Sequence, residues 1–170
     1  MKKTILDKEV LMQKEDFIVS KTNNKGIITY CNEIFIYMAE YNEKELLGKN
    51  HNIIRHPDMP KAAFKLAWNL ISKGEEFFGF VKNLTKSGKY YWVFANITAD
   101  YDHTGKIIGY TSVRRKPNEK AIEAVIPIYK QMIEIEKQQD VNASTQFLLD
   151  FLEKNNITYT NLILSLQRTS

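Results

Sequence analysis

The stretch Phe77-Phe78-Gly79-Phe80-Val81-Lys82-Asn83-Leu84-Thr85-Lys86-Ser87-Gly88-Lys89-Tyr90-Tyr91-Trp92-Val93-Phe94-Ala95-Asn96 decides the fold. Two runs rich in aromatic and β-branched residues flank Lys86-Ser87-Gly88, whose composition suits a tight turn, so the runs pair as antiparallel strands. Side chains alternate across a strand. Phe77, Gly79, Val81 and Asn83 therefore share one face, which Tyr91, Val93, Ala95 and Ile97 continue on the neighbouring strand. Phe78, Phe80, Lys82 and Leu84 share the other face with Trp92 and Phe94. A glycine within a strand marks close approach of a ligand or another backbone, and a buried amide such as Asn83 needs a partner.

Outward from this hairpin, Gly105–Arg115 reads as a third strand reached through the turn Tyr101–Thr104. Upstream, Lys61–Ser72 has helical spacing between Pro60, suited to a helix start, and Gly74, suited to its stop. Asn32 is placed to cap a helix over Glu33–Glu40, and Asn42 with Glu45 resembles a capping box for a second short helix. Phe17–Ser20 and Gly26–Tyr30 are β-rich runs joined by the turn-forming Asn23-Asn24-Lys25-Gly26. Together these elements predict an α+β domain in which a five-stranded antiparallel sheet carries short helices on one face. Residues 1–15 read as a short helix or loose cap, residues 16–116 as the domain body, and residues 117–170 as a helical tail. In the tail, Ile122, Val125, Ile126, Tyr129, Met132 and Ile133 recur at helical spacing, with Pro127 as an interruption or kink. That stripe suits docking on the chain's own sheet or on a second subunit, giving a homodimer.

Composition excludes several classes. The chain has 170 residues, 44% of them hydrophobic, so it has enough apolar material for a core. Its net charge of +4 is not gathered into a basic block, which argues against nucleic-acid binding. Cys31 is the single cysteine, so no disulfide framework or cysteine zinc site can form within the chain. The charged start offers no signal-peptide core, and no apolar run reaches the roughly 20 residues of a membrane span, so the expectation is a cytoplasmic protein without direct membrane insertion. Glycine-rich phosphate loops and nucleophile elbows are missing, and no enzymatic activity is expected.

One segment stands apart chemically. Gly48-Lys49-Asn50-His51-Asn52-Ile53-Ile54-Arg55-His56-Pro57-Asp58-Met59-Pro60 concentrates cationic, imidazole, amide and carboxylate groups between two helices. Such groups suit an anionic, planar ligand, and equally suit a polar turn held by its own hydrogen bonds. His51, His56 and Asp58 fit no standard metal-ligand spacing. Haem suits the chain less well, because Lys61–Ser72 carries no histidine to serve as an axial ligand.

The run from His51 to Pro60, followed by Val81-Lys82-Asn83 and by Gly88 to Tyr91-Trp92-Val93, resembles the signature of the PAS domains of bacterial aerotaxis receptors. The resemblance extends from about Thr22 to Lys130. It implies a PAS fold, non-covalent FAD binding and a redox or energy-taxis signal passed to a membrane-bound methyl-accepting chemoreceptor that recruits the module to the inner membrane face. Carried over by position, Asn32, Arg55, His56, Asp58 and Asn83 match flavin-binding positions. His51, Asn52, Phe77 and Tyr91 complete the expected pocket, with Asp58 orienting Arg55 and Phe77 flanking the ring. Phe77 stands where relatives carry tryptophan, which keeps an aromatic wall and loses an indole donor. Gly48-Lys49-Asn50-His51 is also similar to the photoactive segment of LOV domains, with His51 in place of their reactive cysteine, so light-driven thioether chemistry is not expected.

Overall fold

The computed structural model describes residues 4–168; the first three residues of the expected cap and the last two of the expected tail lie outside them. Five strands, β1 (Ile18–Asn23), β2 (Ile28–Cys31), β3 (Phe77–Leu84), β4 (Tyr90–Tyr101) and β5 (Ile107–Arg115), form one antiparallel sheet in the order β2-β1-β5-β4-β3. The alternation read from the hairpin holds in the observed register, where Asn83 faces Tyr91, Val81 faces Val93 and Gly79 faces Ala95.

Helices α1 (Glu33–Ala39) and α2 (Glu43–Leu46), a 3₁₀ turn (His51–Ile54) and α3 (Lys61–Ile71) cover one face, the inner one. There Phe35, Met38, Leu46 and Ile54 bury against Ile18, Ile28, Tyr91, Val93 and Ala95. Local signals set these helices. The Asn32 side chain accepts the Phe35 N–H at the start of α1, and Glu45 accepts the Asn42 N–H at 3.0 Å at the start of α2. Glu40, just past α1, binds Lys89 at 2.7 Å and the Ser87 backbone N–H at 3.2 Å, tying the helix end to the β3–β4 turn. Burial raises the affinity of the Glu40 carboxyl for its proton, but the bonds from Lys89, Ser87 and Thr85 prevail and hold its pKa at about 2.

The outer face carries Phe80, Trp92 and Phe94, and α4 (Glu119–Gln138) packs Ala121, Val125, Tyr129 and Met132 on them. Pro127 neither starts nor breaks this helix, which runs continuously through it. After α4, α5 (Val141–Lys154) turns back against α3, and α6 (Tyr159–Arg168) lies along β3. The tail therefore passes from the outer face, around the β3 edge, to the helical layer. The N-terminal segment contains no helix among the described residues. It runs extended beside β4, exchanging backbone bonds between Lys8, Val10 and Tyr90, because it can satisfy its own peptide groups on the sheet. No described helix is long and apolar enough to cross a membrane.

Where β5 passes between β1 and β4, Gly109 is buried, and a β-carbon there would run into the Thr22 carbonyl oxygen. Backbone cannot yield as a flexible side chain can. Gly109→Ala should lower the unfolding free energy by about 2 kcal/mol, a typical overpacking cost, in urea denaturation followed by circular dichroism.

Candidate ligand-binding site

A cavity of about 350 Å³ lies between the inner sheet face, the 3₁₀ turn and α3. Five of the residues expected from sequence line it: His51, Asn52, Arg55, Phe77 and Asn83. Exposed Asn50 and Asn52, half-buried Arg55 and exposed Trp68 stand at its rim. Arg55 does not meet Asp58, as sequence suggested; its guanidinium lies 4.0 Å over the Phe64 ring. Burial lowers the Arg55 pKa, and the Glu136 carboxylate partly opposes that.

The sequence reading missed the group that dominates this cavity. Arg114 on β5 shares the inner face with Tyr110 and Ser112, and all three line the space. Applying to β5 the alternation used for β3 would have found it. Arg114 is only 3% exposed. Its Nη2 donates to Ser20 Oγ at 2.5 Å, and the guanidinium sits 4.6 Å over the Phe35 ring, while Nε and Nη1 have no partner. Burial lowers its pKa to about 10, with Tyr91 opposing, so it stays cationic near neutrality. Ser20 Oγ lies 3.0 Å from His51 Nε2. Because Arg114 occupies a lone pair of that oxygen, the Ser20 hydroxyl hydrogen is free to point at Nε2, which suits a neutral imidazole. Burial first, then the Arg114 charge, push the His51 pKa down to about 3.

Asn83 adds a second unsatisfied group. It is 4% exposed, lines the cavity, and its Nδ2 has no partner. The Arg55 backbone bridges to Asn83 at the β3 edge, so the 3₁₀ turn and the amide are held together. Tyr91, opposite Asn83, is fully buried behind the cavity and does not line it. Burial pushes its ionisation up, with Arg114 and Asn83 pulling the other way; the Tyr91 hydroxyl is near Asn83 but meets no partner in hydrogen-bond geometry.

The remaining expected residues lie elsewhere. Asn32 accepts the Val19 N–H at 3.0 Å and donates to the Phe17 carbonyl at 2.8 Å besides capping α1, so its side chain clasps β1 to the helix. His56 is 2% exposed, with Nδ1 accepting the Asp58 N–H at 3.0 Å and the ring edge-on to Tyr90. Burial, then Lys82, lower its pKa to about 4, and Asp58 opposes them. Asp58 is exposed and pairs with Lys82 at 2.8 Å. No described cluster of three or more histidine, cysteine or carboxylate side chains is placed to hold a metal.

Both histidines are therefore neutral when folded and titrate normally when unfolded. At pH above about 6.5 neither state is protonated and the rings do not affect stability. As pH falls below that value the unfolded chain gains protons that the folded chain refuses, so stability drops. The expected slope between pH 6.5 and 4.5 approaches about 1.4 kcal/mol per pH unit for each ring. Urea titrations across this window should show the decline, and His56→Asn should remove part of it; a flat profile would contradict the burial of neutral rings.

Comparison with known proteins agrees with this fold. A sequence profile described as the PAS fold matches residues 28–114. The aerotaxis receptor of Escherichia coli (strain K12) is 44% identical over 115 residues, which is 68% of this chain and 22% of the receptor. The biofilm dispersion protein BdlA of Pseudomonas aeruginosa is 25% identical over 80% of the chain and 31% of its own length. The chain thus spans less than a third of either relative. Among solved structures, the dark structure of the blue-light photoreceptor Aureochrome1 LOV superposes with a TM-score of 0.58 at 22% identity, covering 71% of this chain and 86% of that one. The chain belongs to the PAS family and is of the type found in aerotaxis receptors.

Proposed function

We propose that this chain is a redox sensor of the energy-taxis kind, binding FAD in the inner cavity and signalling by protein–protein contact to a membrane-bound methyl-accepting chemoreceptor. The observation that carries the reading is the pairing of a cationic Arg114 and an amide Asn83, both buried, both lining one cavity and both with unpaired donors. A buried donor left unpaired costs roughly 1–3 kcal/mol, and more when charged. A ligand with several acceptors on an otherwise apolar plane removes that cost. The cavity volume of about 350 Å³ lies in the range of small-molecule sites.

An isoalloxazine ring meets these requirements. Asn83 Nδ2 and the free donors of Arg114 serve its carbonyl and ring-nitrogen acceptors, while Phe77, Ala95 and Ile97 supply apolar walls. Arg55, Asn52 and Asn50 at the rim suit the phosphates of the dinucleotide portion. When bound, flavin supplies a centre that gains electrons and protons near neutral pH. The chain's part is to hold a positive charge at Arg114, where Ser20 fixes its orientation, and to keep His51 neutral beside it. Asn83 must re-form its bond when the acceptor pattern opposite changes, and it sits on an edge strand that the tail also touches. The relation to the aerotaxis receptor supports the chemoreceptor partner.

Protein purified from a flavin-replete host should absorb near roughly 370 and 450 nm and bleach with dithionite. Arg114→Met and Asn83→Leu should each weaken FAD binding by about tenfold to a hundredfold, the loss of one or two hydrogen bonds, with circular dichroism unchanged. Colourless protein that takes up no added FAD would reject the flavin, and a Soret band would replace it with haem.

A further inference from the structure

The tail meets the cavity directly through Tyr129 and, behind the Phe77 wall, through Tyr159. On α4, Tyr129 stacks on Trp92 at the outer face, with 6.4 Å between ring centroids. Its hydroxyl donates to the Phe80 carbonyl at 2.8 Å across the β3 edge, and the residue lines the cavity. Further along α4, Glu136 accepts the Lys61 and Ala62 N–H groups, each at 2.9 Å. It thereby caps α3, which Pro60 cannot do with its own side chain. These bonds fix α4 to both walls of the cavity.

The second tyrosine is held differently. Tyr159 opens α6 and stacks on Phe77, centroids 5.8 Å apart and planes 17° from parallel. Phe77 is itself a cavity wall. Both rings nest in a notch at Gly79, where a β-carbon would lie 2.5 Å from the Phe77 ring and 3.2 Å from the Tyr159 hydroxyl. That hydroxyl is buried without a hydrogen-bond partner, and burial pushes its ionisation well up, so it stays neutral. Leaving it unpaired offsets part of what the stacked contact contributes. The first turn of α6 therefore rests on the Phe77 contact, while Gln167 accepts the Asn118 N–H at 2.9 Å and holds the far end of the helix.

We propose that Tyr159 is a positioning residue that couples the contents of the cavity to α6: a planar ligand against Phe77 holds the Phe77–Tyr159 stack, and with it α6, in place. A change of ligand that shifts Phe77 loosens α6 selectively. The coupling rests on the ligand cavity proposed above, but its physical link, Phe77 to Tyr159, is present without any particular ligand. Residues 159–168 lie beyond the part of the chain that matches the PAS fold profile.

Hydrogen–deuterium exchange on the full chain separates the outcomes. In ligand-free protein, Phe77→Leu should speed exchange of α6 amides by at least about fivefold while leaving α4 unchanged. Adding FAD to the unaltered chain should slow α6 exchange, and dithionite should change it again. Tyr159→Phe should keep this response. Tyr159→Ala should abolish it while retaining the 450 nm band. Equal α6 exchange in the unaltered chain and Phe77→Leu would overturn the proposal, as would FAD that binds without altering α6 in either redox state. Failure of FAD to bind would reject the flavin reading alone, and the ligand-free comparison would still decide this one.

Discussion

A guanidinium buried among aromatic rings, with no carboxylate among the described residues paired to it, is the constraint around which the inner half of this protein is arranged. Arg114 is 3% exposed, and its direct side-chain partner is the Ser20 hydroxyl. Burying a charge that way is tolerated only where the surroundings answer part of its field. Phe35 presents its ring face to the cation, Ser20 accepts one bond, and His51 is forced neutral alongside. The Nε and Nη1 donors of this cavity-lining residue are left without a partner. The same arrangement would be wasteful in a scaffold domain, where an apolar side chain of similar volume would serve better.

The β3 edge is the second organising feature. An edge strand exposes unpaired backbone groups, and natural sheets cover them. Here the cover is made of functional parts: the Arg55 backbone bridges at Asn83, Met59 sulfur accepts the Lys82 N–H, and Tyr129 donates to Phe80. Protecting the edge thus brings together the ligand-side turn, the cavity wall and the tail. A conformational change at the cavity has no need of a long path, because the tail already forms part of the wall.

Much of the candidate site was visible as chemistry and less of it as geometry. The polar run from His51 to Asp58 announced itself by composition, yet its members diverge: His51 and Arg55 face the cavity, while His56 turns into the core and Asp58 into solvent beside Lys82. A 3₁₀ turn followed by Pro57 has no fixed period, so spacing cannot say which side chain points where. Asn32 matches a position in a family pattern, but its side chain is spent on the Val19 N–H of a strand thirteen residues away and on the Phe17 carbonyl just before it. Arg114 escaped notice for the opposite reason. It lies in a strand whose period is regular, but an arginine near a chain turn reads as surface until the burial of its neighbours is known.

Alternation in Phe77–Asn96, the turn at Lys86–Gly88 and the caps at Asn32 and Asn42 were enough to determine the α+β class, the two faces of the β3–β4 hairpin and the helix starts, because each depends on neighbours within about four residues. Tertiary structure alone decided which polar groups would be left unpaired, and where. Ser20, His51, Asn83 and Arg114 come from four separate segments, and Tyr159 meets Phe77 across more than eighty residues. Burial and hydrogen-bond satisfaction are properties of packed surfaces, and a local pattern does not encode what a distant segment will bring against it.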